Sequence, residues 1–171
     1  CERCLRRQTA LQRGEIWADS YHQGLVDVPL SVYDNSTATD VLVLGGGDWI
    51  ATDYLRAHNV SVDLVDVDAE FMKHAKSDEL LRRYHDGAYQ YDNLTVHQQD
   101  AFDFLAATTN SYDLILLDLP GATNDDMLHL YSTEFYSLLP ERLAPDRVVV
   151  TRPYTRSPSP APHTTHIHPL P

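Results

Sequence analysis

Between residues 40 and 151 the chain alternates short apolar runs with segments of helical periodicity. The apolar runs are rich in Val, Ile and Leu and have the length of buried strands. They lie at 41–44, 60–68, 94–100, 112–120 and 147–151. The segments between them, 48–58, 69–85 and 101–108, predict helices, and 127–143 predicts one or two more, interrupted at Pro140. Strands that alternate with helices predict an α/β fold with a mainly parallel sheet covered by helices on both faces.

The two ends of the chain lack this pattern, so three regions are predicted. Residues 1–35 form an N-terminal segment with a strand leading into a helix, and residues 36–151 form the α/β domain. Residues 152–171 hold more than half of the ten prolines and show no apolar periodicity, which predicts a disordered tail. The start at Cys1 and the abrupt change after Thr151 suggest that the chain is truncated at both ends.

The composition is strongly acidic and changes the list of possible partners. The formal net charge is −12, which disfavours nucleic acid and favours cationic small molecules. The chain has 19 Asp and 6 Glu but only 2 Lys, a bias typical of proteins adapted to high salt, although an ordinary acidic enzyme is the alternative. No apolar run approaches the roughly 18 residues that span a bilayer. A cytoplasmic location is expected, with tethering through a missing upstream segment left open.

Cysteine and histidine do not form a convincing metal site in the sequence. Cys1 and Cys4 form a single CxxC without a second pair of ligands, and the tail histidines 163, 166 and 168 belong to the proline-rich segment. A structural zinc site needs four ligands. We therefore predict no bound metal.

Each of the first four predicted strands of the domain is followed by a carboxylate. The first runs into three glycines and Asp48, the second into Asp66 and Asp68, the third into Asp100, and the fourth into Asp118. Because the carboxyl ends of parallel strands meet at one edge of a sheet, these side chains are expected to form one acidic site. Aspartate is also common in turns and as a helix N-cap, which is the alternative for any one of them.

The acids and the glycine loop together indicate the kind of ligand. Asp66 lies about 20 residues beyond the loop, where an acid accepts hydrogen bonds from ribose hydroxyls. Asp100, followed by Ala101, is placed to reach an adenine amino group. A pyrophosphate would face Asp48 in a cleft of low dielectric constant, so a nicotinamide dinucleotide fits poorly. An adenosyl sulfonium compound with an amine tail fits both the ribose site and Asp48.

At this point the motifs resemble those of the polyamine aminopropyltransferases, the spermidine synthase family. The resemblance covers roughly residues 12–151 and depends on an ordered set of motifs rather than on the glycine loop alone. The motifs are VLVLGGGD (41–48), VDLVDVD (62–68), QQDA (98–101), YDLILLD (112–118) and YSTEFYSLL (131–139), with YHQ (21–23) and Gln12 upstream.

The resemblance implies a Rossmann-like, doubly wound fold of the S-adenosylmethionine-dependent transferase type. It implies transfer of an aminopropyl group from decarboxylated S-adenosylmethionine, a co-substrate, to an amine such as putrescine, with release of methylthioadenosine. It also implies no permanently bound cofactor and a homodimer or homotetramer. The implied roles are catalytic base for Asp118, amine or substrate binding for Gln12, Tyr21, His22 and Asp48, and nucleoside binding for Gly45, Gly46, Gly47, Asp66, Asp100 and Ala101.

The chain departs from the family pattern at several positions. Gly121 stands where the family usually has a second acid, for which Asp125 or Asp126 are the candidate substitutes. Trp49 and Ile50 follow the loop where the family usually has Gly-Gly or Gly-Leu, and this pair is expected to narrow the mouth of the pocket. Two alternatives therefore remain: an inactive truncated remnant that binds nucleoside or polyamine, and a methyltransferase of the same architecture that uses intact S-adenosylmethionine.

Overall fold

The structure is a computed structural model that describes residues 4–7, 10–14, 22–32, 40–121, 125–151 and 166–169. Its main feature is a six-stranded sheet in the order β5-β4-β3-β6-β7-β8, and a separate two-stranded antiparallel sheet is formed by β1 and β2. The strands are β1 (Cys4–Arg7), β2 (Ala10–Gly14), β3 (Asp40–Gly45), β4 (Ser61–Val65), β5 (Leu94–His97), β6 (Tyr112–Asp118), β7 (Leu143–Thr151) and β8 (His166–Pro169).

The five strands from β3 to β7 are all parallel, as the sequence predicted. The chain leaves β3 toward one side, through β4 to β5, and then crosses back to β6 and β7 on the other side. Such a reversal beside the central strand is the place where ligands bind in doubly wound folds. The fold class predicted from the pattern is therefore confirmed.

Four residues of the predicted tail form a strand at the edge of the sheet. His166–Pro169 pairs antiparallel with β7, with Val149 opposite His168. The outer side of β7 presents unpaired backbone groups, and a strand that covers them satisfies those groups regardless of side-chain periodicity. Residues 152–165 and 170–171 lie outside the described residues.

Helices connect the strands where periodicity predicted them, with shorter bounds. The predicted helix 69–85 is two helices, because the Asp78 carboxylate accepts the N–H groups of Leu80 and Leu81 and so begins a second helix. The α-helices are α1 (Val28–Val32), α2 (Ile50–Arg56), α3 (Ala69–Ala75), α4 (Glu79–His85), α5 (Ala101–Ala107) and α6 (Thr133–Leu138). A π-helix (Gln23–Asp27) precedes α1, and the 3₁₀ helices are Ala88–Gln90, Asp125–Tyr131 and Pro140–Arg142.

The helices cover both faces of the sheet, so each face has its own core. Alternate residues of β3 divide between them: Val41 and Val43 face the helices α2 and α3, whereas Leu42 and Leu44 face α5 and α6. All four side chains are fully buried. The predicted helical part of the N-terminal segment contributes Leu25 to the first of these cores. Among the described residues, no helix has both the length and the apolar character needed to cross a bilayer.

Candidate active site

The sheet order brings the four predicted carboxylates to one edge in a fixed sequence. Asp100 follows β5, Asp66 follows β4, Asp48 follows the glycine loop after β3, and Asp118 ends β6. Since β5, β4, β3 and β6 are neighbours in that order, the acids stand in the same order along the edge. The carboxyl edge of the sheet therefore carries all four carboxylates in the order of the strands.

The glycine loop is shaped by its contact with the end of β6. Gly45 has φ +89°, and a Cβ there would lie 2.3 Å from the Asp118 carbonyl oxygen. Gly46 has φ +77°, and its Cβ would lie 3.4 Å from Oδ2 of the same residue. Both positions thus need glycine for conformation, and Gly45 also needs it for space. The absence of side chains lets the loop backbone approach Asp118 closely.

The Asp66 carboxylate is oriented by two backbone donors. Its Oδ2 accepts the N–H of Gly47 at 2.9 Å, and its Oδ1 accepts the N–H of Asp68 at 2.8 Å. Each carboxylate oxygen has more than one acceptor site, so these bonds fix the group while it can still receive further donors. Asp68 itself caps α3 by accepting the N–H of Phe71 at 2.7 Å. The N-cap alternative is therefore correct for Asp68.

Three ionisable side chains converge at the buried end of the site. His22, Asp48 and Asp118 are 0%, 3% and 8% exposed. One ligand atom from each lies within 4.8 Å of those of the others, and His22 Nε2 is 3.9 Å from Asp118 Oδ2. Asp48 Oδ1 also accepts the N–H of Ile50 at 3.0 Å, and the His22 ring stacks on Tyr54 at 5.7 Å between centroids.

This arrangement has a clear electrostatic consequence. Two carboxylates so close together and so little exposed repel each other and are poorly solvated, so a cation between them is strongly favoured. An imidazole and two carboxylates are donors that a divalent metal also accepts. They equally provide the acceptors that surround an ammonium group.

Asp100 serves partly as a helix cap. Its Oδ1 accepts the N–H groups of Phe102 and Asp103, at 2.8 and 3.3 Å, and thereby begins α5. Its Oδ2 lies 2.8 Å from His129 Nε2. Asp100 is therefore a helix N-cap, and it also lies at the carboxyl edge of the sheet. Ala101, the first residue of α5, is 6% exposed.

Trp49 does not narrow the mouth of the pocket, contrary to expectation. It is 1% exposed and packs in the first core with Met72, whose carbonyl accepts the indole N–H at 3.1 Å. The backbone of Trp49 has φ +69°, a conformation that costs a side chain roughly 1–2 kcal/mol. Burial of a large aromatic side chain offsets this cost, and it explains how Trp replaces the small residue expected here.

The other predicted positions are described only in part. Gln12 lies in β2, whose side chains are outside the described residues, as is Tyr21. Asp125 and Asp126, the candidate substitutes for an acid at Gly121, are exposed in the 3₁₀ helix Asp125–Tyr131.

Sequence reasoning missed two neighbours of the site. Tyr54 lies on α2, and its stacking on His22 places it beside the site. His129 was not singled out, because nothing in its local sequence distinguishes it from an exposed histidine. Both contacts join residues far apart in the chain, so no spacing rule could reveal them.

Known proteins similar to this chain belong to one family. Residues 18–159 match the family described as "Spermine/spermidine synthase domain". The chain belongs to this family. A polyamine aminopropyltransferase of Oceanobacillus iheyensis is 35% identical over 145 residues, which cover 84% of this chain. Polyamine aminopropyltransferase 1 of Streptomyces coelicolor is 36% identical over 134 residues, or 77% of this chain.

Solved structures of the family share the fold. A spermidine synthase crystallised with the transition-state analogue AdoDATO has a TM-score of 0.69 and 24% identity, covering 78% of this chain and 44% of its own. Spermidine synthase from Thermotoga maritima has a TM-score of 0.64 and 23% identity, covering 78% of this chain and 42% of its own. The chain spans 28% and 24% of the lengths of the Oceanobacillus and Streptomyces relatives.

Proposed function

We propose that this chain carries the catalytic site of a polyamine aminopropyltransferase. The reaction moves an aminopropyl group from decarboxylated S-adenosylmethionine to an amine such as putrescine and releases methylthioadenosine. Family membership supports the reaction class, and no permanently bound cofactor is needed. The observation that carries the proposal is the convergence of His22, Asp48 and Asp118 beside the glycine loop.

The chemistry explains why buried carboxylates are needed. The acceptor nitrogen attacks a carbon next to the sulfonium, and the leaving methylthioadenosine is neutral. The obstacle is the proton on the acceptor amine, whose removal at pH 7 costs about 4.6 kcal/mol for a pKa near 10.4. A carboxylate next to the ammonium orients it and takes the proton as the nitrogen lone pair engages. Asp118 has this role in our proposal.

The other site residues bind different parts of the two substrates. Asp48 holds the ammonium of the aminopropyl group, and Asp66, already oriented by two backbone N–H groups, accepts the ribose hydroxyls. Asp100 and Ala101 meet the adenine, and Tyr21 and His22 line the path of the amine. Buried Asp48 also argues against a methyltransferase, because the amino acid tail of S-adenosylmethionine carries a carboxylate that this side chain would repel.

The first experiment is calorimetric titration of the 171-residue chain with methylthioadenosine, at low and at high salt. Wild type is compared with Asp66→Ala and with Asp68→Asn, a matched control that removes a neighbouring charge and keeps an N-capping side chain. We expect wild type and Asp68→Asn to bind and Asp66→Ala not to bind. Binding that improves at high salt would support the adaptation suggested by the net charge of −12.

A second experiment tests turnover. Methylthioadenosine release is followed with decarboxylated S-adenosylmethionine and putrescine, for wild type and Asp118→Asn. We expect release by wild type and a loss of at least about 100-fold in Asp118→Asn, since general base catalysis contributes roughly 10²–10⁴. Nucleoside binding without release would favour the remnant. Formation of S-adenosylhomocysteine from intact S-adenosylmethionine, which is what loss of the methyl group leaves, would favour the methyltransferase. A folded chain that binds no nucleoside at either salt would refute the proposal.

A further inference from the structure

The carboxylate of Asp100 uses both of its oxygens in hydrogen bonds. Oδ1 caps α5 by accepting the N–H groups of Phe102 and Asp103. Oδ2 lies 2.8 Å from Nε2 of His129, and since an ionised carboxylate only accepts, the imidazole N–H donates. The two capping bonds therefore hold the carboxylate in one orientation, with Oδ2 turned toward His129.

His129 reaches Asp100 from a different part of the fold. It lies in the 3₁₀ helix Asp125–Tyr131, which the chain enters after β6. This helix is anchored next to His129 by Leu130, which is 7% exposed, and by the Tyr131 hydroxyl, which donates to the Pro120 carbonyl. The His129 side chain is 44% exposed, so it can rotate away from Asp100 while its helix stays in place.

We propose that His129 competes with the adenine amino group for Oδ2 of Asp100 and thereby sets the affinity of the site for adenine nucleosides. This inference rests on the proposed function, in which Asp100 meets the adenine. Because Oδ1 is committed to the helix cap, an incoming amino group must approach Oδ2. The imidazole N–H, 2.8 Å from Oδ2, already takes one of the acceptor sites of that oxygen and part of its charge, so it weakens the hydrogen bond that the amino group can form there.

The competition has a modest and measurable size. A partly exposed ion pair or charge-assisted hydrogen bond contributes little to stability, because water screens it and the side chain loses freedom. We therefore expect His129→Ala to bind methylthioadenosine about two- to fivefold more tightly than wild type. His129→Gln, whose amide can still donate, should lie closer to wild type.

The test is a double-mutant cycle measured by calorimetric titration with methylthioadenosine. It uses wild type, His129→Ala, Asp100→Asn and the double variant. Asparagine remains a good N-cap, so Asp100→Asn keeps α5 and replaces Oδ2 by a group that cannot accept. We expect the gain from His129→Ala to disappear in the Asp100→Asn background. His74→Ala, which removes an exposed histidine 3.6 Å from Asp78, is the matched control and should leave the affinity unchanged.

The outcomes separate this inference from the function on which it rests. If wild type binds methylthioadenosine and His129→Ala binds it with equal or lower affinity, the competition is overturned. A lower affinity would show instead that His129 positions Asp100. A gain of equal size in the Asp100→Asn background also overturns it. Absence of binding in both wild type and His129→Ala, with the chains folded, refutes the nucleoside site itself and the competition with it.

Discussion

Replacing Gly47 by alanine tests whether the orientation of Asp66 controls nucleoside binding. Gly47 has no left-handed φ, so alanine brings no backbone strain there. Its Cβ would nevertheless lie 2.6 Å from Asp66 Oδ2 and 2.9 Å from Met72 Cγ, both closer than such atoms approach in proteins. The carboxylate must therefore move, and it loses the geometry in which the Gly47 N–H holds it at 2.9 Å.

The expected loss of affinity follows from those contacts. Hydrogen bonds to a charged group contribute about 1.5–3 kcal/mol, so misplacing the ribose acceptor should weaken methylthioadenosine binding about 10- to 100-fold. Crowding at Met72, which is 6% exposed, should also lower the free energy of unfolding by about 1–3 kcal/mol. A control is needed to separate lost stability from lost binding.

Gly87→Ala provides that control. Gly87 has φ +76° and nothing within 4 Å of an added Cβ, so alanine there strains the backbone without crowding any neighbour. We expect about 1–2 kcal/mol of lost stability and unchanged affinity. Urea unfolding followed by circular dichroism gives the stabilities, and calorimetric titration gives the affinities. Affinity of Gly47→Ala within about twofold of wild type, or an equal loss in Gly87→Ala, would refute the reasoning.

Two further predictions concern residues away from the chemistry. Burial, together with the hydrogen bond that the hydroxyl donates to Asp63, raises the pKa of Tyr112 to about 12. Because this folded-state pKa exceeds the unfolded value, the stabilisation is present below pH 10 and is lost as pH rises toward 12, by at most roughly 3 kcal/mol. Between these pH values Tyr112→Phe should lose less unfolding free energy in urea than wild type, and equal losses would contradict the assignment. Trp49→Phe removes the N–H donated to Met72, so its free energy of unfolding should fall by about 1–3 kcal/mol while its affinity for methylthioadenosine stays unchanged. A clear loss of affinity would show that the Trp49 side chain contributes to the pocket.

Much of the fold could be predicted because its signals are local. Apolar runs and helical periodicity gave the five parallel strands and the helices between them, and Asp100 and Asp68 marked two helix starts. The differences from the predicted elements also have local causes. The predicted helix 69–85 is divided because Asp78 caps a new helix, and the four-residue strand His166–Pro169 forms through backbone pairing, which leaves no periodic signal.

The sequence by itself determined which chemistry was available. Strand ends in a parallel sheet must share an edge, so the carboxylates after each strand and the glycine loop already indicated a site for a cationic adenosyl ligand. Only the tertiary structure decided which of these groups meet. It brought His22 to Asp118, turned Trp49 into the core and joined His129 to Asp100. Such contacts depend on side-chain directions and on packing between elements far apart in the chain, which no local pattern encodes.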